Sequence, residues 1–299
     1  MSQFKNWMKA ARPRTLPLAL SSIGLGSFLA AFEEMMRWDV LILAALTTLF
    51  LQVLSNLAND YGDFKHGADS ADRVGPSRAV QSGLISASDM KAAIYLLVVL
   101  SLASGIALLF VSQAKIDLQF LILLILGLAA IGAALNYTIG KNPYGYAGLG
   151  DLFVILFFGF VGVAGTYFCH KGSIKADILL PAFSCGLLAA AVLNVNNIRD
   201  IASDKKAGKR SIPVRLGKTK ATIYHWFLMA MAVVASLVYV LINYHSPAQF
   251  LFLITTPLLI FNGTKVSLGR DAVQLDPMLR QMAISTLLFI ITFGIGNLL

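Results

Sequence analysis

Residues 40–57, VLILAALTTLFLQVLSNL, hold no charged side chain, and the chain then runs straight into Ala58-Asn59-Asp60-Tyr61-Gly62-Asp63. An apolar run of this length is close to the ~20 residues a helix needs to cross hydrocarbon. Eight further runs share its character: 16–32, 92–111, 118–137, 147–168, 178–195, 221–242, 247–261 and 282–298, of which 247–261 is the shortest. A bilayer core has no water to satisfy backbone groups, so the runs are expected to be helices. Their unbroken apolar character does not suit the alternation of a membrane barrel. The expected fold is all-α, a polytopic membrane helix bundle of about nine spans, with residues 1–299 forming one domain. Composition agrees: 57% of the 299 residues are hydrophobic and 13% charged, against about 45–50% and 25% in soluble domains.

The net charge of +9 raises the possibility of nucleic acid as a partner, and its distribution argues against it. With nine spans, the N-terminus and every second loop carry 20 of the 24 Lys and Arg residues; Arg37, Lys115, Lys171 and Lys175 lie on the other side. That asymmetry places the N-terminus and the basic loops in the cytoplasm and the C-terminus outside, as in a bacterial inner membrane. The basic N-terminus precedes no cleavage site with a soluble domain behind it, and is read as retained. Cys169 directly follows one apolar run and Cys185 falls inside another; both lie away from any metal-ligand spacing and are read as packing residues.

Polar chemistry concentrates at the ends of the second and sixth runs, on one side of the membrane. Asn56, Asn59, Asp60 and Asp63 follow i, i+3, i+4, i+7 and would share a helix face; Asn194, Asn197, Asp200 and Asp204 form a second stripe. Carboxylates at a membrane are costly unless they face the bundle interior and find partners. Two facing acidic stripes would repel without a cation between them. Oxygen donors without His or Cys suit Mg²⁺ or Mn²⁺. Such an ion completes its shell with substrate phosphate oxygens, which implies a phosphorylated or diphosphorylated substrate. A secondary transporter would instead hold its acids near the midplane, where these spans carry no charge. The positions of the motifs suggest a four-helix unit used twice, in spans 1–4 and 5–8.

At these residues the chain resembles the UbiA superfamily of intramembrane prenyltransferases. Asn59-Asp60-x-x-Asp63 is similar to that family's first motif and Asp200-x-x-x-Asp204 to its second. The last acid of the first motif would fall at Gly67; Asp69 or Asp72 is the nearest substitute. Arg73-Val74-Gly75-Pro76-Ser77-Arg78, Gln81-Ser82-Gly83 and the segment 194–210 resemble the branch that prenylates 1,4-dihydroxy-2-naphthoate. The resemblance implies nine helices around a central cavity, open laterally to lipid and capped by cytoplasmic loops. It implies transfer of a polyprenyl group from its diphosphate to an aromatic acid, with loss of CO₂ and diphosphate, in menaquinone synthesis. Other acceptors, such as 4-hydroxybenzoate or homogentisate, stay open.

On this reading Asn59, Asp60, Asp63, Asp200 and Asp204 hold the metal. Arg73, Arg78, Lys141, Asn56 and Asn197 assist with diphosphate, Lys141 being the strongest basic candidate because it stands alone between Tyr137 and Tyr144. Arg12, Arg14, Tyr137 and Tyr144 are acceptor candidates. Lys205, Lys206, Lys209 and Arg210 are read as topological charges. Phe153, Phe157, Phe158, Phe160, Tyr167 and Phe168 are candidates to line the route of the tail, and Gly159, Gly162 and Gly165 are read as packing positions.

Overall fold

A computed structural model describes residues 3–67, 78–113 and 115–299, and these are helices joined by short connections. Nine helical segments among them are long and apolar enough to cross a membrane. The first combines an amphipathic helix α1 (Gln3–Ala11), a turn at Pro13–Thr15 and α2 (Leu16–Phe32). Then follow α3 (Trp38–Lys65), α4 (Ala87–Ser112), α5 (Leu118–Asn136), α6 (Gly150–Lys171) and α7 (Ala176–Arg199). After a short α8 (Ile201–Lys206) come α9 (Ile212–Ile242), α10 (Pro247–Leu268) and α11 (Ala272–Leu298).

Local chemistry explains where the helices depart from the apolar runs. Helix α3 continues for two turns beyond residue 57, carrying the first acidic motif. Helix α4 starts early because the Ser86 hydroxyl caps it, accepting from the Asp89 amide at 3.1 Å. Pro213 opens α9, and Gly217, at φ 73°, bends it before the apolar stretch begins. The first half of α10 (Pro247–Thr255) is a 3₁₀ helix fixed by a Ser246/Gln249 capping box.

Two hydrophobic clusters form the core. One joins α2, α6, α7, α9, α10 and α11 around small residues of α7 such as Ala182, Cys185 and Ala190. The other joins α1, α3, α4 and α5 through Leu54, Leu57, Met90 and Ile94. Helix α7 is the most enclosed span, whereas α5 packs chiefly on α3 and α4 and is the least buried. Both cysteines are buried thiols within these packed spans.

Between the clusters lies a cavity of about 440 Å³, lined by spans α2 to α7 and by Leu279 of α11. Ala44 and Asp63 of α3 both reach it. Nineteen residues of helix separate them, a depth of about 28 Å, close to the ~30 Å of a hydrocarbon core.

Candidate active site

The polar end of the cavity is built where α3 and α7 finish. Because α3 stays helical through Lys65, neighbouring residues point about 100° apart. Asn56, Asn59 and Asp63 consequently line the cavity while Asp60 does not. The Asp60 carboxylate is buried against the segment that precedes α4, accepting from the amides of Ala79 at 2.9 Å and Val80 at 3.4 Å. Asp60, expected to face the same space as Asp63, is bonded here to the backbone of residues 79–80. Gly62 allows this end of α3 to meet the 137–149 loop, since a Cβ there would lie 2.5 Å from Thr138 Oγ1. The Thr138 hydroxyl in turn donates to Ala58 O at 3.0 Å and to Asn59 Oδ1 at 3.2 Å, fixing the asparagine.

Asp63, 1% exposed, gathers partners from three segments, two of them cations. It is ion-paired with Arg78, accepts from Tyr146 Oη at 3.0 Å, and pairs with Lys209 Nζ at 2.9 Å. Lys209 Nζ also lies 3.9 Å from Asp204 and over the Tyr146 ring, so one ammonium spans both acidic motifs. This placement comes from a contact between two loops: the Arg210 amide donates to Tyr146 O at 2.9 Å, and the Arg215 guanidinium donates to Ala147 O. Lys205, Lys206 and Arg210 are exposed, but Lys209 belongs to the site, against its reading as a topological charge. Lys141, expected to assist with diphosphate, is exposed on its loop and does not line the cavity; the lysine that reaches the carboxylates is Lys209.

The second stripe is interrupted. Helix α7 ends at Arg199, Asp200 adopts a non-helical turn, and α8 restarts, with the Asp204 amide donating to Asp200 O at 2.8 Å. Asp200, Asp204, Asn196 and Asn197 line the cavity. Asn194 instead donates to Ala221 O at 3.1 Å, joining α7 to α9. Arg199 clasps Asp200 with two bonds of 2.8 Å.

Below the charged end, aromatic rings form a wall. Tyr137 meets Tyr144 edge-on at 5.3 Å, Tyr144 stacks on Phe153 at 3.9 Å, and Phe153 continues to Phe157 at 6.1 Å. Burial raises the Tyr137 and Tyr144 phenols well above their ordinary value, so both stay protonated; Tyr144 Oη donates to Ala133 O at 2.9 Å. Phe158 also lines the cavity, whereas Phe160 stacks on Phe183 and Tyr167 donates to Glu33 at 2.8 Å; Phe168 does not reach the lining. Of the glycines on α6, Gly159 and Gly162 meet α7 and α2 too closely for a side chain, while Gly165 faces open space. Opposite, Asn56 donates to Thr15 Oγ1 at 3.0 Å and to Ala11 O at 2.9 Å, bringing the start of α2 to the cavity. Arg12 lines it and Arg14 does not. Arg73, Asp69 and Asp72 lie outside the described residues.

With this geometry in hand, the chain matches the UbiA prenyltransferase family over residues 19–287. It belongs to that family. It is 44% identical to the 1,4-dihydroxy-2-naphthoate octaprenyltransferase of Haemophilus influenzae, with 99% of this chain and 97% of the relative covered. The Escherichia coli protein of the same name is 42% identical, over 99% and 96%. A UbiA homolog from Aeropyrum pernix shares the fold at TM-score 0.71 and 19% identity, over 95% of this chain and 97% of its own. A homolog from Archaeoglobus fulgidus, solved bound to GPP and Mg²⁺, aligns at TM-score 0.67 and 19% identity, over 98% and 99%. The protein is therefore a multi-pass integral membrane prenyltransferase.

The site suits a divalent cation. Asp63, Asp200, Asp204, Asn59 and Asn197 offer oxygen donors only, the donor class of magnesium. Among the described residues no three His, Cys, Asp or Glu side chains form a ready cage. The donors of this UbiA-family site come from separate segments, and the Lys209 ammonium between Asp63 and Asp204 marks where positive charge is stabilised.

Proposed function

We propose that this protein transfers a polyprenyl group from its diphosphate to 1,4-dihydroxy-2-naphthoate, releasing diphosphate and CO₂ and yielding the reduced (quinol) form of demethylmenaquinone for menaquinone synthesis. The observation that carries this reading is the joining, in one cavity, of a cation-rich carboxylate end to an apolar channel nearly a membrane thick. The relatives' names supply the acceptor.

Asp63, Asp200 and Asp204, with Asn59 and Asn197, would hold Mg²⁺ or Mn²⁺, which when bound supplies Lewis-acid stabilisation of the departing diphosphate. Arg78 and Lys209 would turn toward the phosphate oxygens and share that charge, a role that the family resemblance also suggests for Arg73. The C1–O bond breaks with its electron pair leaving on diphosphate. The ring carbon bearing the carboxylate forms the new C–C bond, and loss of CO₂ returns electrons to the ring. Tyr137 and Tyr144 offer protonated phenols and ring faces to the acceptor, and Arg12 its guanidinium to the acceptor carboxylate. The aromatic and aliphatic walls keep water from quenching the allylic cation. The tail lies along α3 to α6 and leaves toward lipid beside the sparsely packed α5. Clustering of Lys and Arg at this end supports a site on the cytoplasmic side.

Purified protein incubated with Mg²⁺, labelled polyprenyl diphosphate and a panel of aromatic acids tests the reading. The expected product is prenylated and decarboxylated dihydroxynaphthoate. Preference for another acid would overturn the acceptor, and undiminished turnover after exhaustive chelation would overturn the metal.

A further inference from the structure

Every nitrogen of the Arg199 guanidinium group donates a hydrogen bond, and its partners reach beyond the cavity. Its side chain is 1% exposed. Nε donates to Asp200 Oδ1 and Nη2 to Asp200 Oδ2, both at 2.8 Å, while Nη2 also donates to Asn196 Oδ1 at 2.9 Å. Nη1 donates to Asp276 Oδ1 at 2.6 Å. Asp276 stands in the second turn of α11, a span whose only contribution to the cavity wall is Leu279. Its side chain is 35% exposed, so burial does not force it to seek this partner.

The second carboxylate changes the charge of the group. A buried arginine paired fork-to-fork with one carboxylate is electrically neutral as a pair, although three of its five N–H donors still need partners. A neutral Arg199–Asp200 pair would attract a divalent cation weakly. Two carboxylates sharing one guanidinium leave a net charge of −1, and the bond from Asp276 restrains the plane of the fork that aims Asp200.

We propose that Asp276 is a positioning residue for the carboxylate site: by holding the outer arm of Arg199 it orients Asp200 and preserves enough negative charge there to bind a divalent cation. The inference rests on the reading of Asp200 as part of a metal–diphosphate site. Asp276 itself touches neither cavity nor substrate, and acts through Arg199.

The test uses the full-length purified protein and Mn²⁺ alone, with binding followed by electron paramagnetic resonance in the absence of substrate. Outer-shell partners of metal ligands are commonly worth ~10–100-fold in affinity; partial exposure puts Asp276 at the lower end. Asp276→Asn, which keeps the hydrogen-bond acceptor but not the charge, should weaken Mn²⁺ binding about tenfold with an unchanged melting temperature. Asp276→Glu should restore binding. In turnover, Asp276→Asn should raise the Mg²⁺ concentration needed for half-maximal rate, with kcat recovered at saturating Mg²⁺. Asp204→Asn is the control. If it weakens Mn²⁺ binding and Asp276→Asn does not, the positioning role fails alone. If neither variant changes binding, the metal reading of the site fails with it. A fall in melting temperature that Asp276→Glu does not reverse, with Mn²⁺ binding retained, would make the contact purely structural and overturn the proposal.

Discussion

Asp60 and Asp63 stand three residues apart in one motif, yet the structure gives them different work. Asp63 faces the cavity and collects Arg78, Tyr146 and Lys209, whereas Asp60 holds the backbone of the cap. Asp63→Ala should therefore lower kcat by about 100-fold or more, the scale of losing a preorganised electrostatic group, with insertion and folding retained. Asp60→Ala should leave the Ala79 amide unsatisfied, at about 1–3 kcal/mol, read as a lower melting temperature. Equal kinetic damage from both variants, without a stability difference, would contradict this division. The motif itself was legible, because paired acids running out of an apolar helix have few other uses. Which acid faces inward was not, since a difference of about 100° per residue is set by what the helix packs against. Lys209 was hidden for a related reason. Its role depends on a bond between the 144–148 and 207–215 segments, which leaves no periodic trace in the sequence.

At the scale of elements, the span count and order were readable because a bilayer forces each apolar run into one helix. The closure of the far end was not, since it depends on pairing between loops. There the end of α2 is tied to α6 by Glu33, bonded to Lys171, to Lys175 at 2.7 Å and to Tyr167 at 2.8 Å. Burial alone would raise the Glu33 carboxyl, but the hydrogen bonds from Lys171, Lys175 and Tyr167 outweigh it and hold the carboxyl below its ordinary 4.5. A carboxyl lowered on folding stabilises above its unfolded value, and that stabilisation is lost as pH falls through the folded value. Wild-type melting temperature should thus decline on acidification below about pH 4.5, and Glu33→Gln should flatten part of that decline. Identical pH profiles would show that the contact contributes nothing. Helix contact within the α6–α7 pair is tighter still: a Cβ on Gly159 would lie 2.6 Å from Ala182 O. Gly159→Val should cost about 1–3 kcal/mol through overpacking, measured by thermal unfolding in detergent.

On the proposed function, one cavity would have to accept both a charged leaving group and a tail too apolar for water. Hydropathy indicates that the spans exist, but not that two separate cores leave a gap between them; that arrangement arises from side-chain packing across 299 residues. The depth of the gap has a consequence for substrate choice. Gly165 lines the cavity on α6, roughly 20 Å along the helix from its polar start at Gly150, and a Cβ there meets nothing within 4 Å. A larger side chain here has room at its Cβ and, because Gly165 lines the cavity, would be directed toward the channel. Gly165→Phe should leave turnover of a short substrate such as geranyl diphosphate near wild type. It should lower kcat/KM for a long polyprenyl diphosphate by roughly tenfold or more, as expected when a hydrophobic pocket loses several methylenes of room. The ratio of the two specificity constants is the measurement, because it cancels any general loss of folded protein. An unchanged ratio would mean that the tail leaves the bundle beside α5 before reaching this depth. The far half of the cavity would then serve something other than the prenyl chain.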